Sequence, residues 1–229
     1  METPADIFSR TVALIGEDNM ERLRRTKVIV FGVGGVGSWC AEALVRSGVG
    51  TVTLVDPDEV CYSNINRQLP ATVATVGRAK AEVLRERFLT INPQAQIDAK
   101  VAAFHDSNAD SFHLEQYDYV IDAIDSLEDK AALILAVTAL ADTTLLSSMG
   151  AARKLDPQRI QTAEFWKVHG CPLAKALRTR FKKMQRFPAK KFRCVFSDEL
   201  VETNGVKGSM MHITAVFGLT LASFIIQNK

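Results

Sequence analysis

The sequence predicts an α/β fold: a doubly wound, mostly parallel, Rossmann-like sheet with a C-terminal mixed α+β extension. Three observations carry this. A glycine-rich turn, Gly32-Val33-Gly34-Gly35-Val36-Gly37-Ser38, separates the apolar run Lys27-Val28-Ile29-Val30-Phe31 from a helix-like stretch opening at Trp39. Apolar runs of strand length then alternate with helical patterns, which implies a parallel sheet covered on both faces. Two acids, Asp56 and Asp125, fall just past strand ends, where such sheets bind ligands.

Taken in order, residues 18–26 suit a short helix capped by Asp18 or Asn19. After the first strand, further strands are expected at 51–55, 95–101, 118–124 and 143–148, with helices at 37–47, 77–91, 107–115 and 126–141. Beyond Gly150 the pattern changes. Residues 151–155 and 159–165 read as a hairpin turning at Asp156-Pro157-Gln158. A basic helix near 172–186, a strand at 192–196, a turn at Asn204-Gly205 and a closing helix at 213–226 follow. Residues 1–150 therefore read as the unit that carries the ligand-binding turn, and 151–229 as an extension packed on the same domain.

With 229 residues, 47% of them hydrophobic and 24% charged, the composition is that of a soluble globular protein. Met1-Glu2-Thr3-Pro4-Ala5-Asp6 lacks the basic-then-apolar pattern of a signal peptide. The most apolar run, Ile213 to Ile226, is interrupted by Thr214, Thr220 and Ser223, so no membrane span is expected and the cytoplasm is the expected compartment. Cysteines stand at 40, 61, 171 and 194, without a Cys-x-x-Cys pair, so neither disulfides nor a structural zinc is expected.

The glycine turn suits a phosphate, because its backbone approaches closely and the following helix end presents N–H groups and positive dipole. Nineteen residues past Gly37, Asp56 is placed to accept ribose hydroxyls. Those two features alone fit NAD as well as ATP. The segment from Asp56 through Arg67 and Gln68 tips the balance, as do Lys80 in the first turn of a helix and Asp125 after a third strand. Adenylating a carboxylate puts charge on phosphate oxygens that cations must neutralise. Arg67 and Lys80 suit that task, and Asp125 suits a magnesium ion. The bland alternatives are a surface ion pair for Arg67, a snorkelling Lys80 and a helix-capping Asp125; Asp122 reads as structural.

A net charge of +2 conceals an asymmetric molecule. From Lys167 to Arg193 there are ten Lys or Arg residues and no acid, among them Lys175, Arg178, Lys182, Lys183 and Arg186. Such a run favours a polyanion through phosphate contacts, the alternative being a solvated helix face.

The motifs Gly32, Gly34, Gly35, Gly37 and Ser38, then Asp56, Asn64, Arg67, Gln68, Lys80 and Asp125, resemble the adenylating domain of ubiquitin-activating-like enzymes, which includes the activators of ThiS- and MoaD-type sulfur carriers. The resemblance covers roughly residues 5–150. It implies ATP and Mg²⁺ as cofactors, roles for Asn64 and Gln68 at the nucleotide, and a homodimer in which Arg10 reaches the partner's nucleotide. Within that superfamily the chain is more similar to one branch, the tRNA threonylcarbamoyladenosine dehydratases, through Gly150-Ala151-Ala152-Arg153-Lys154-Leu155-Asp156-Pro157, Pro172–Arg178 and Val195-Phe196-Ser197-Asp198-Glu199. That branch implies tRNA as substrate, adenylated on the carboxylate of its threonylcarbamoyl group and then cyclised.

Other readings stay open at this point. A sulfur-carrier protein would present its C-terminal carboxylate to the same crevice, and a cysteine-desulfurase or sulfur-acceptor partner would then use Cys61. Cys171 or Cys194 would serve if a thioester formed; a reduced structural cysteine is the plainer reading of each. An NAD-dependent oxidoreductase would leave Arg67 and Lys80 idle. A non-catalytic RNA-binding protein would leave the nucleotide motifs unexplained.

Overall fold

A computed structural model describes residues 7–206 and 208–227; the signal-peptide reading of Met1–Asp6 lies outside them. Seven strands form one sheet in the order β3-β2-β1-β4-β5-β7-β6. They are β1 (Lys27–Phe31), β2 (Thr51–Val55), β3 (Gln96–Lys100), β4 (Tyr119–Asp122), β5 (Thr144–Ser148), β6 (Ile160–Glu164) and β7 (Arg193–Ser197). All pairs are parallel except β6 with β7.

Because side chains alternate across a strand, β1 feeds both layers. Val28 and Val30 face one core with Cys40, Leu44, Leu84, Phe88 and Phe217, while Ile29 and Phe31 face the other with Phe104, Phe112, Ile134, Leu177 and Phe181. Helices α3 (Gly37–Arg46), α4 (Lys80–Ile91) and α7 (Met211–Ile226) contribute to the first core, and α5 (Leu127–Ala139) and α6 (Pro172–Met184) to the second. Two helices precede the sheet, α1 (Ser9–Ile15) and α2 (Glu17–Arg25), joined at Gly16. Among the described residues no helix is long and apolar enough to cross a membrane.

Helix α7 is apolar around most of its circumference because it is wedged inside the molecule. A Cβ at Gly218 would lie 2.4 Å from the Val36 carbonyl oxygen, so α7 meets α3 almost backbone to backbone. Arg22 of α2 donates to the carbonyls of Ile225 and Ile226, satisfying orphan acceptors at the C-terminal end of α7.

Several expectations are corrected. Residues 107–115 form 3₁₀ turns, Asp106–Phe112 and Leu114–Gln116, not an α-helix. Polar side chains there bond locally: Asn108 accepts from the His105 N–H, and Ser111 donates to the Asn108 carbonyl. Residues 151–155 are not a strand, and β6 pairs instead with β7. The reason is Arg153, at φ 62°, whose carbonyl and guanidinium are both spent on Val201. Helix α4 starts at Lys80, not near 77, because Gly77 N–H donates to the Val60 carbonyl and the Arg78 carbonyl accepts from Val60 N–H. The last strand completes the same sheet, beside β5.

Candidate active site

The strand order reverses between β1 and β4, whose pairing sets Phe31 opposite Asp122. At their C-terminal ends opens a cavity of about 770 Å³, where open α/β sheets bind ligands. Gly32, Gly34, Gly35, Asp56, Arg67, Gln68, Lys80 and Asp125 all line it. Its far end is formed by residues 148–154, the start of α6, Leu200 and Ser209.

The glycine turn is shaped by close approach. Gly32 has φ 82°, and a Cβ there would sit 2.6 Å from the Ala123 carbonyl oxygen. Gly37, behind the wall, could not carry a Cβ, which would fall 1.8 Å from the Gly32 carbonyl oxygen. Ser38 Oγ donates to the Gly34 carbonyl at 2.5 Å and accepts from Leu69 N–H at 3.3 Å, stitching the turn to the Arg67–Leu69 segment. Trp39 Nε1 donates to the Arg67 carbonyl at 3.1 Å, a second stitch.

Asp56 is buried, with Oδ2 accepting from Val33 N–H at 2.7 Å and Oδ1 from Asp58 N–H at 2.9 Å. Burial pushes its carboxyl up, opposed by the Asp58 N–H, Lys80 and the Val33 N–H. Lys80, itself buried, places Nζ 2.8 Å from the exposed carboxylate of Asp58. An exposed acid thus holds a buried lysine at the cavity wall. Arg67 is similarly occupied by the Ser63 carbonyl and the Asn66 side chain, both at 2.9 Å. Gln68 is buried, its amide facing Gly34, and its Oε1 has no hydrogen-bond partner among the described residues. Asn64 stands behind the wall, where its Oδ1 accepts from Cys61 N–H and caps a short turn.

Asp125 is exposed at the cavity, just before Ser126, which caps α5 by accepting from Asp129 N–H. Beneath it lies an ion pair that sequence reasoning missed. Lys130 Nζ is 2.8 Å from Asp122 Oδ2, and both side chains are fully buried. Asp122 also accepts from Ser147 Oγ and Ile124 N–H, and Lys130 donates to the Ile124 carbonyl. A lysine inside an apolar helix pattern, eight positions past Asp122, was the available signal.

The far end of the cavity was also missed. Buried Lys154 donates to the carbonyls of Ser197 and Glu199, and burial pushes its ammonium down. Glu199 answers by accepting from the N–H groups of Leu155 and Asp156. The backbone donors of Asp156 and Leu155 hold its carboxyl below the usual glutamate range. These crossed bonds lash the 153–156 segment to 197–201.

Arg10 lies on α1, exposed and outside the cavity wall of its own chain. Of the basic set, Lys175, Lys182, Lys183 and Arg186 are exposed, with Arg186 3.7 Å from Asp106. Arg178 departs from the expected solvent-facing role: it donates to the carbonyls of Phe165 and Val168 and lies over the Phe165 ring, so its charge secures the packing of α6. Cys40, Cys171 and Cys194 are buried and Cys61 is exposed; burial pushes the thiols of Cys40 and Cys194 up, which makes them inert.

Residues 8–227 match the model of the family described as ThiF family. The chain is 43% identical over 192 residues to the tRNA threonylcarbamoyladenosine dehydratase of Bacillus subtilis (strain 168), covering 84% of this chain and 74% of that protein. It is 37% identical over 230 residues to the protein of the same name from Haemophilus influenzae, covering 91% of this chain and 87% of the other. Among solved structures, that of Escherichia coli tRNA N6-threonylcarbamoyladenosine dehydratase in complex with ATP superposes with a TM-score of 0.89 at 37% identity, covering 97% of this chain and 93% of that one. The AMP complex of the same protein gives a TM-score of 0.90.

Proposed function

The chain belongs to the ThiF family, and we propose that it is an ATP-dependent tRNA threonylcarbamoyladenosine dehydratase. The observation that carries this is one cavity lined by Gly32, Gly34, Gly35, Asp56, Arg67, Gln68, Lys80 and Asp125, in a chain whose residues 150–157 and 195–199 the sequence ties to that branch.

The residues fit the nucleotide. The glycine turn leaves room that side chains would fill, and Gln68 Oε1 is a buried acceptor awaiting a donor. Asp56 would take the ribose, and Arg67 and Lys80 the phosphates, Lys80 exchanging Asp58 for phosphate oxygen. Among the described residues no three His, Cys, Asp or Glu side chains gather as a metal cluster. Asp125 would hold a magnesium ion, which proteins commonly bind through only one or two carboxylates. When bound, the ion neutralises charge developing on the transferring phosphate.

In the first step, a carboxylate oxygen of the threonylcarbamoyl group attacks the α-phosphorus of ATP. A mixed anhydride forms and pyrophosphate leaves. In the second, a nitrogen or oxygen of the same modification attacks the activated carbonyl, loses its proton and expels AMP, closing a ring. The net change is loss of water. Activation is needed because a free carboxylate is a poor electrophile. Ring closure is intramolecular, so positioning supplies much of its acceleration, and no enzyme nucleophile is required.

Two further parts belong to the proposal. The active unit is a homodimer in which Arg10 completes the partner's site, consistent with its exposure away from its own cavity. Residues 151–229 add the RNA-binding extension to the nucleotide-binding part, with Lys175, Lys182, Lys183 and Arg186 as its exposed cations. Such an enzyme works where tRNA is, in the cytoplasm. ATP–pyrophosphate exchange tests the assignment. Exchange dependent on tRNA bearing threonylcarbamoyladenosine is expected; exchange with a sulfur-carrier protein and none with that tRNA would overturn it.

A further inference from the structure

Beyond the cavity, the basic extension carries two large aromatic side chains in the open. Trp166 is 43% and Phe187 52% exposed, with ring centroids 6.3 Å apart and planes inclined by 44°. Adjacent rather than scattered, the two rings make an apolar spot of the kind that marks an interaction site. Trp166 is held from behind. Its ring meets Phe165 edge-on at 5.1 Å, and Phe165 is buried and stacked on Phe192 at 5.0 Å. Its backbone N–H donates to Glu164, which turns that acid back toward the chain. The outer ring surface is therefore presented by a rigid support.

The surroundings are cationic. Lys167 follows Trp166 directly, and Lys182, Lys183 and Arg186 come just before Phe187, all exposed. A protein–protein interface core is depleted of lysine, whereas aromatic faces among lysines match a nucleic acid strand, with its bases on the rings and its phosphates on the cations. Helix α6 connects this place to the cavity: its first residue, Pro172, lines the cavity, and its last, Met184, lies about 18 Å along the axis.

We propose that Trp166 and Phe187 form a stacking platform for an unpaired base of the RNA whose modified adenosine enters the cavity, while Lys167, Lys182 and Lys183 neutralise the flanking phosphates. This rests on the tRNA reading above. It adds a contact that reads single-strandedness, because a base locked in a duplex cannot offer its face. The platform would favour an arm with an open loop over a continuous helix of equal charge.

Trp39 and Trp166 are the two tryptophans of the chain, so Trp39→Phe leaves Trp166 as the sole indole reporter. The probe is an anticodon stem–loop RNA bearing threonylcarbamoyladenosine, added without ATP. Quenching of Trp166 fluorescence is expected. In the otherwise native protein, Trp166→Ala and Phe187→Ala should each weaken binding roughly 5- to 150-fold. Neither should alter the slope of log affinity against log salt, since no charge is removed. Trp166→Phe should restore most of the affinity. Binding by Trp166→Ala and Phe187→Ala within twofold of the native protein, without quenching, would overturn the platform while leaving tRNA recognition standing. No RNA binding by the native protein would overturn the tRNA reading, and the platform with it. A change of oligomeric state in Trp166→Ala would assign the rings to a contact between copies of the chain and also overturn the proposal.

Discussion

Lys130 and Asp122 form an ion pair of 2.8 Å with neither side chain exposed, and each also bonds the backbone of Ile124, the residue before Asp125. The metal-binding carboxylate we propose is therefore set on a buried electrostatic footing. Burying two charges gains little net stability, but orphaning one is expensive.

Removing one partner should accordingly cost far more than removing both. Lys130→Met is expected to destabilise by about 3–5 kcal/mol, leaving Asp122 charged without its counterion. Adding Asp122→Asn should recover much of the loss. Urea unfolding of the two single variants and the double variant, analysed as a cycle, measures this. Additive losses would mean that the pair is not coupled.

Asp125 itself stands exposed at the cavity, so Asp125→Ala should barely change the melting temperature. Turnover should fall by about 100-fold or more, since transition-state charge loses its stabilisation. Steady-state kinetics at saturating magnesium, with thermal melting alongside, separate the two effects. A cooperative loss of fold would assign Asp125 to structure instead.

Gly37→Ala should act in the opposite way, through packing. Its new methyl would meet the Gly32 carbonyl at 1.8 Å, both atoms being on fixed backbone, so the start of α3 must move. A loss of at least about 1–3 kcal/mol is expected, with ATP affinity falling because the turn moves too. Calorimetric unfolding and ATP titration report the two halves.

The proposed dimer predicts complementation. Arg10→Ala and Asp125→Ala chains, each inactive alone, should regain about a quarter of native activity when mixed equally and allowed to exchange, because half the dimers are mixed and carry one intact site. Sedimentation equilibrium of the native chain supplies the control; a fully active monomer excludes the scheme.

The Lys154–Glu199 clasp predicts a pH dependence. Glu199 is held below its usual range by the N–H groups of Asp156 and Leu155, so the native state binds its proton less readily than the unfolded chain. Its contribution is complete above the ordinary glutamate value and is lost as pH falls through the lowered one. The stability difference between the native protein and Glu199→Gln should be flat near neutrality and shrink below about pH 4.5. A difference that grows on acidification would give the linkage the wrong sign.

Much of the nucleotide end was legible because short-range rules write it. The turn at Gly32–Ser38 follows from glycine sterics, and Asp56 and Asp125 follow from strand ends. Lys130 was hidden because charge inside an apolar helix contradicts pattern reading unless its partner, on another strand, is known. The 151–155 segment was misread because its bonding is long-range: Arg153 looks extended in sequence, yet its bonds run to Val201. Arg178 shows the same limit from the other side. A run of basic residues does not say which of them is turned inward, and that one serves carbonyls and a ring.

The contact between Gly218 and the Val36 carbonyl has a consequence in time. During synthesis, Gly32–Ser38 leaves the ribosome long before residues 211–226, yet those residues wedge α3 in place and set Thr214 against Gly35. Domains generally fold as units, and the glycine turn of an emerging chain lacks this brace until α7 arrives. The turn proposed to cradle ATP thus reaches its full set of packing partners only once the C-terminal helix has been made.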